Sequence, residues 1–251
     1  MAEKTLYNAP SSNHIIANYD DDIASMRRNF QASLSREAFP PYYKPFLPIS
    51  HALFNGQKFD WALAQAKGIA ERAPRTEKAQ RLAKTQQKMA IEALEALEPY
   101  FSKDPAQWLR EATVISFHAT EEVQVPIKLY GIRRADSQTR ICLFNYWKTK
   151  LTDQQIGILI SLARYYTTQY PEFQDIDFEF IDISCPEKTN EREYRVYGWQ
   201  DFPLLSDFEL NATMKKLADA YVWAKQNEPQ KTRRDPQPKP PSESGDLFPD
   251  L

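Results

Sequence analysis

The chain has 251 residues, long enough for one large domain or two small ones with a sizeable core. Its 32 Lys and Arg against 34 Asp and Glu leave a formal charge of −2, which excludes a polybasic protein whose whole surface attracts nucleic acid; any such contact needs a local patch. No apolar run approaches the roughly 20 residues that span a bilayer, and Met1-Ala-Glu-Lys-Thr has no signal-peptide character, so the reading is a cytoplasmic protein with no membrane partner.

Residues 1–19 are polar and aperiodic. The run Asp20-Asp21-Asp22 then precedes Ile23, Met26, Phe30 and Leu34, whose spacing predicts an N-capped amphipathic helix with its acids at the positive end of the dipole. Between 39 and 48 four prolines interrupt Tyr42, Tyr43, Phe46 and Leu47, and an extended segment is expected because each proline removes a backbone donor. Helical periodicity returns over 58–72 and 76–98, divided by Pro74. Runs 113–118, 125–133 and 140–148 are rich in β-formers and separated by short turns, which predicts a meander. A helix at 153–170, strands at 176–183 and 193–199, and a closing helix at 208–225 follow. From 228 to 251 the chain holds six prolines, five acids and four bases, and too little apolar surface to order itself is expected of it. The fold class is α+β: a helical N-terminal part over 1–100, including the helix 76–98, packed on a mixed four- or five-stranded sheet within 101–227, then a disordered tail.

The succession helix, three strands, helix, strand over residues 76–184 resembles the αβββαβ core of the PD-(D/E)xK nuclease superfamily, RecB-type branch. Such proteins place an acid near the end of the second strand after a glycine, an acid-x-Lys pair on the third strand, and a glutamine at the start of the next helix. The corresponding stretches here are Gly131-Ile-Arg-Arg-Ala-Asp136, Phe144-Asn-Tyr-Trp-Lys-Thr149 and Asp153-Gln-Gln155. Cleavage of a phosphodiester with Mg²⁺ needs converging carboxylates and a lysine. Here Arg134 stands at the first acid, Tyr146 lies two before Lys148, and Asn145, three before it, falls on the opposite strand face. The resemblance therefore implies a nuclease-like core without its metal carboxylates. The function expected is a non-catalytic binding or assembly protein of DNA metabolism, with no cofactor. One alternative is an active Mg²⁺-dependent nuclease using Asp136 and Lys148, and another a protein-protein adaptor that binds no nucleic acid.

Candidate anion or nucleic-acid contacts are Lys78, Arg81, Lys84 and Lys88, spaced to share one helix face, with Arg134, Asn145 and Lys148. Glu92, Glu95 and Glu98 continue that face with opposite charge. Cys142 and Cys185, with His14, His51 and His118 scattered far apart, give no metal-ligand spacing, and the six glycines form no phosphate-cradling loop. Asp175, Asp177 and Glu179 alternate with apolar residues, as on a solvent-facing strand. In the tail, Asp246, Leu247, Phe248 and Leu251 gain nothing from folding and are expected to dock into a protein partner. That tip is similar to peptides that bind bacterial sliding clamps and to the acidic tails of bacterial single-stranded-DNA-binding proteins.

Overall fold

The computed structural model describes residues 7–8, 11–35, 43–102, 107–110, 113–135, 138–173, 176–186, 189 and 191–227. Asp136, Asp175 and the whole tail, including Asp246, Leu247, Phe248 and Leu251, lie outside them.

A short strand β1 (Tyr7–Asn8) and helix α1 (Ser12–Ile16) occupy the stretch that has no periodicity. Five residues are too few to display a 3.6-residue repeat, yet Ile15 and Ile16 are buried. Helix α2 (Ile23–Ser35) buries Met26 and Phe30. Asp22 caps it: its carboxylate accepts from the Ala24 and Ser25 amides at 3.2 and 3.0 Å. Those amides hold the Asp22 carboxyl below its ordinary pKa.

The proline-rich stretch departs from expectation. Phe46–Phe54 forms α3, with Pro48 in its first turn, where a missing N–H costs no intrahelical hydrogen bond. Helices α4 (Phe59–Lys67) and α5 (Glu77–Ser102) follow, α5 running one turn beyond the expected end and carrying Pro99.

Among the described residues eight strands form two sheets. After β2 (Gln107–Arg110) and β3 (Thr113–His118), the single run expected over 125–133 is two strands, β4 (Val123–Leu129) and β5 (Ile132–Ala135). The chain swings from one sheet to the other at Gly131, whose φ of 139° is open to glycine and strained for other residues. The bend stays tied to β6 (Gln138–Asn145): the Tyr130 amide donates to the Cys142 carbonyl and the Cys142 amide to the Gly131 carbonyl, at 2.8 and 3.0 Å. Helix α6 (Asp153–Thr167) begins with a capping box from Thr152 and Gln155 and crosses over to β7 (Asp177–Asp182), parallel to β6. Strand β8 (Arg195–Gly198) and helix α7 (Asp207–Gln226) close the described chain. The sheet orders are β1-β4-β3 and β2-β5-β6-β7-β8. The fold is thus α+β with a mixed five-stranded sheet; α5, β3, β4 with β5, β6, α6 and β7 occur in the expected order, but the unexpected β2 intervenes between α5 and β3, and β3 lies in the other sheet from β6.

Alternation along β6 and β7 sorts the core into two layers. Cys142, Phe144 and Ile181 share a cluster with Phe46 and Phe54 of α3, Ala62 and Ala66 of α4, and Leu94 and Leu97 of α5. Ile141, Leu143, Phe178 and Phe180 meet α6 and α7, and the same layer takes in α1 and α2. The first hundred residues therefore line both faces of the sheet.

Candidate nucleic-acid interface

Strand β6 ends at Asn145, and the turn Tyr146–Lys150 leaves the sheet where β6 and β7 both finish. In open sheets with parallel strands, the crevice beyond the carboxyl ends is the usual place for a ligand. Asn145 is fully buried and sits opposite Asp182 in register. Its Nδ2 donates to Asp182 Oδ1 at 2.9 Å and to the Thr149 carbonyl at 3.3 Å, and its Oδ1 accepts from the Trp147 amide. Asn145 therefore shapes the turn from beneath.

Lys148 leaves on the other side of the sheet. Its Nζ lies 3.1 Å from Glu92 Oε2 on α5, and the same carboxylate group meets Lys88, one turn earlier, with an Nζ to Oε1 distance of 3.8 Å. Lys78, Arg81, Lys84 and Lys88 are all exposed, and Arg81 pairs with Glu77. From Lys78 to Lys88 this face runs about 15 Å along the helix at 1.5 Å per residue. The structure thus gathers five of the seven candidate contacts on one surface: four on α5, and Lys148 joined to them through Glu92.

Arg134 does not join them. It pairs with Thr139 at the start of β6, six residues from Asn145, which places it about 20 Å away at some 3.3 Å per residue. Arg134 is therefore remote from Lys148, and Asn145, though close to it in sequence, is buried beneath the turn.

Two residues that no motif marks hold the turn in place. Arg192 donates from Nη1 to the Tyr146 and Ile183 carbonyls at 2.9 and 2.8 Å, and from Nη2 to the Tyr43 hydroxyl at 2.8 Å. Burial raises the pKa of that phenol, with Arg192 and Lys148 pulling in the opposite direction. The Cys185 amide, in turn, donates to the Lys148 carbonyl at 2.9 Å, and Cys185 is buried. A loop arginine that reaches acceptors 9, 46 and 149 residues away leaves no local signature to read.

The described residues do not fit a magnesium site. Tyr146, at the acid position of the acid-x-Lys pattern, packs against Tyr43, Phe46 and Phe144. Asp182 has both oxygens engaged, by Asn145 Nδ2, the Ser184 amide and hydroxyl, and Arg195 Nη1 at 3.3 Å. Among the described residues no three His, Cys, Asp or Glu side chains form a group suited to a metal ion.

The acid row on β7 also corrects an expectation. Glu179 is buried, because β7 lies between β6 and β8 and that face is covered by helices. Arg133 Nε approaches Glu179 Oε1 at 2.8 Å, the Tyr100 hydroxyl donates to Oε1, and Cys142 Sγ lies 3.2 Å from it. The Arg133 guanidinium also stacks over the Tyr100 ring at 4.3 Å. Burial first, and then the neighbouring Cys142 and Glu179, push the Tyr100 phenol well above its ordinary pKa, so it serves as a donor. Asp177, half-buried, accepts from the Trp199 indole at 3.0 Å.

No helix among the described residues is long and apolar enough to cross a membrane. No family model matches the chain. No curated protein matches it either. Three solved chains do; one, described as the crystal structure of SSO0001, is similar at 13% identity over 70% of this chain and 90% of its own, with a TM-score of 0.27, a likeness too slight to carry any inference.

Proposed function

We propose that the protein is a non-catalytic binding or assembly factor of DNA metabolism, built on a nuclease-like core and equipped with a partner-docking tail. The observation that carries this reading is the double engagement of Glu92, which joins Lys148 at the sheet end to the exposed bases of α5 in one surface. The element order from α5 to β7 supports the nuclease-like core. The burial of Asn145 and the aromatic packing of Tyr146 support a site that holds a phosphate chain and does not cut it. Contacts of this kind are electrostatic and independent of base sequence.

Fluorescence anisotropy with labelled single-stranded and duplex DNA at low salt tests it. Lys84→Glu with Lys88→Glu is expected to weaken binding and to flatten the salt dependence by about two units in the log-log slope, near 0.9 per lost phosphate contact. Absence of any DNA or RNA binding at low salt would overturn the reading in favour of an adaptor. Mg²⁺-dependent cleavage abolished by Asp136→Ala would overturn it in favour of a nuclease using Asp136 and Lys148. Tail docking predicts that Phe248→Ala weakens capture of a protein partner on the order of thirtyfold, the loss of about 2 kcal/mol from an aromatic anchor.

A further inference from the structure

Strand β3 is an edge of the three-stranded sheet, and its ladder to β4 runs in unbroken register from Thr113 opposite Leu129 to His118 opposite Gln124. At the closed end of that ladder the Ala119 amide donates to the Val123 carbonyl at 3.0 Å. Backbone groups of alternate residues in an antiparallel strand point to the same neighbour, so Ile115 and Phe117, in step with Ala119, spend theirs on β4. Those of Val114, Ser116 and His118 point off the edge. Pro126, opposite Ser116, agrees with this alternation, because its position owes β3 no N–H. Among the described residues no other strand pairs with β3 on its outer side.

Sheet edges are guarded by shortness, a charge, a proline or a bulge. The edge strand β1 has two residues, and β2 and β8 have four each, with Arg110 and Arg195 among them. Strand β3 has six, Thr-Val-Ile-Ser-Phe-His, with no charged side chain, no proline and no bulge. Val114 on it is 60% exposed, and Ser116 and His118 are exposed too. The occupant this edge fits is a second β3. Antiparallel pairing about a two-fold axis at Ser116 sets Ser116 against the second copy's Ser116 and Val114 against its His118, so outward groups meet outward groups at every step. Ile115 and Phe117 then lie beside Phe117 and Ile115 of the second copy, on the face that α6 covers through Tyr165, and no like charges are brought together. We propose that two copies of the chain associate through β3 in this register, joining their three-stranded sheets into one across the two-fold axis. Five or six residues a side fall well short of the 20–30 of a standard interface, so the dimer is a weak one, with a Kd on the order of tens of micromolar. It is independent of the DNA reading, since it uses none of the α5 surface.

Sedimentation velocity of the full chain from about 1 to about 200 µM is expected to show a monomer passing into a dimer. Ser116→Pro removes an outward amide and leaves the ladder to β4 whole. It should weaken association at least about tenfold, since both copies lose a donor and strand a carbonyl, with the unfolding transition nearly unmoved. Ser116→Cys locates the axis without disturbing the strand. Facing residues of a hydrogen-bonded pair have Cα atoms about 5.5 Å apart, within the roughly 4.4–6.8 Å a disulfide spans, so mild oxidation should link Cys at 116 to its copy. The native Cys142 and Cys185 are buried and do not compete. Lys128→Cys, on β4, lies three strand spacings from its copy, at least about 14 Å, and should stay unlinked. A chain that remains monomeric at about 200 µM would overturn the proposal. So would cross-linking no faster at 116 than at 128, or a Ser116→Pro protein that associates as tightly as the native one.

Discussion

The buried ion pair beneath α5 gives the sharpest test of how this fold is held. Glu179→Ala removes in one step the acceptor of Arg133, the Tyr100 hydroxyl and the Cys142 thiol, and the nearby counter-charge of Arg140 at 3.7 Å. The Arg133 and Glu179 side chains are 9% and 3% exposed, so water cannot replace the lost partner. Breaking a buried pair from one side costs about 3–5 kcal/mol. For a chain of this length that is a fall in Tm of roughly 6–20 °C, at about 2–4 °C per kcal/mol. Replacing both charges by apolar groups, in Arg133→Met with Glu179→Leu, removes the stranded cation. The double variant is expected to regain at least about 2 kcal/mol over the single one; the remaining loss is that of the Tyr100 and Cys142 donors, about 1–3 kcal/mol. Urea unfolding followed by circular dichroism, with the m-value checked for constancy, measures each arm. A cost below about 1 kcal/mol for Glu179→Ala, or a double variant no more stable than the single, would refute the argument.

Three further outcomes follow from the geometry. Asp22→Ala is expected to lower Tm at neutral pH, and the deficit should vanish as pH falls through the depressed Asp22 pKa, because a carboxyl whose folded pKa is lowered contributes stability only while ionised; a thermal series from pH 7 to pH 2 checks this. Lys128, pushed down to about 8 by burial beside the Tyr130 ring, is neutralised more readily folded than unfolded, so stability should rise with pH between about 8 and its ordinary 10.5 in the native chain and not in Lys128→Met, as paired urea titrations at pH 7.5 and 9.5 would register. Gly131→Ala forces a side chain into φ 139° and should cost about 1–3 kcal/mol of unfolding free energy, while an alanine at Gly68, which follows the end of α4 on a φ of −83°, should cost less.

Much of this architecture is legible because most elements carry their own period. Helix α5 and strand β3 sit where their spacing places them, and the Asp22 cap follows from three acids ahead of an apolar repeat. The misreadings share a cause: the deciding interaction lies far away in sequence. Pro48 reads as a helix breaker unless its position in a first turn is known. The run through Gly131 looks like one strand because side-chain alternation does not report a backbone that changes sheet. Glu179 looks solvent-facing because alternation reveals two faces and says nothing of what covers each. The candidate surface divides in the same way. Four bases on α5 follow from helical spacing, but Lys148 joins them only through a tertiary contact to Glu92. Arg192 donates across forty-six residues to the Tyr146 carbonyl and is invisible to any local pattern.

The wrapping of the first hundred residues around both faces of the sheet bears on how the chain is made. Helix α2 packs against α7, whose residues come more than 170 positions later, and α3 completes its packing on β6 only about ninety positions on. Until then Met26, Phe30, Phe46 and Phe54 have no sheet to cover. The emerging N-terminal half is a set of amphipathic helices awaiting a template, exposed to self-association in the interval. Closure comes late, when α7 arrives against α2 and joins the two ends of the described chain. Cutting at 103–106 and co-expressing the halves should restore the fold, whereas either half alone should collect in the insoluble fraction.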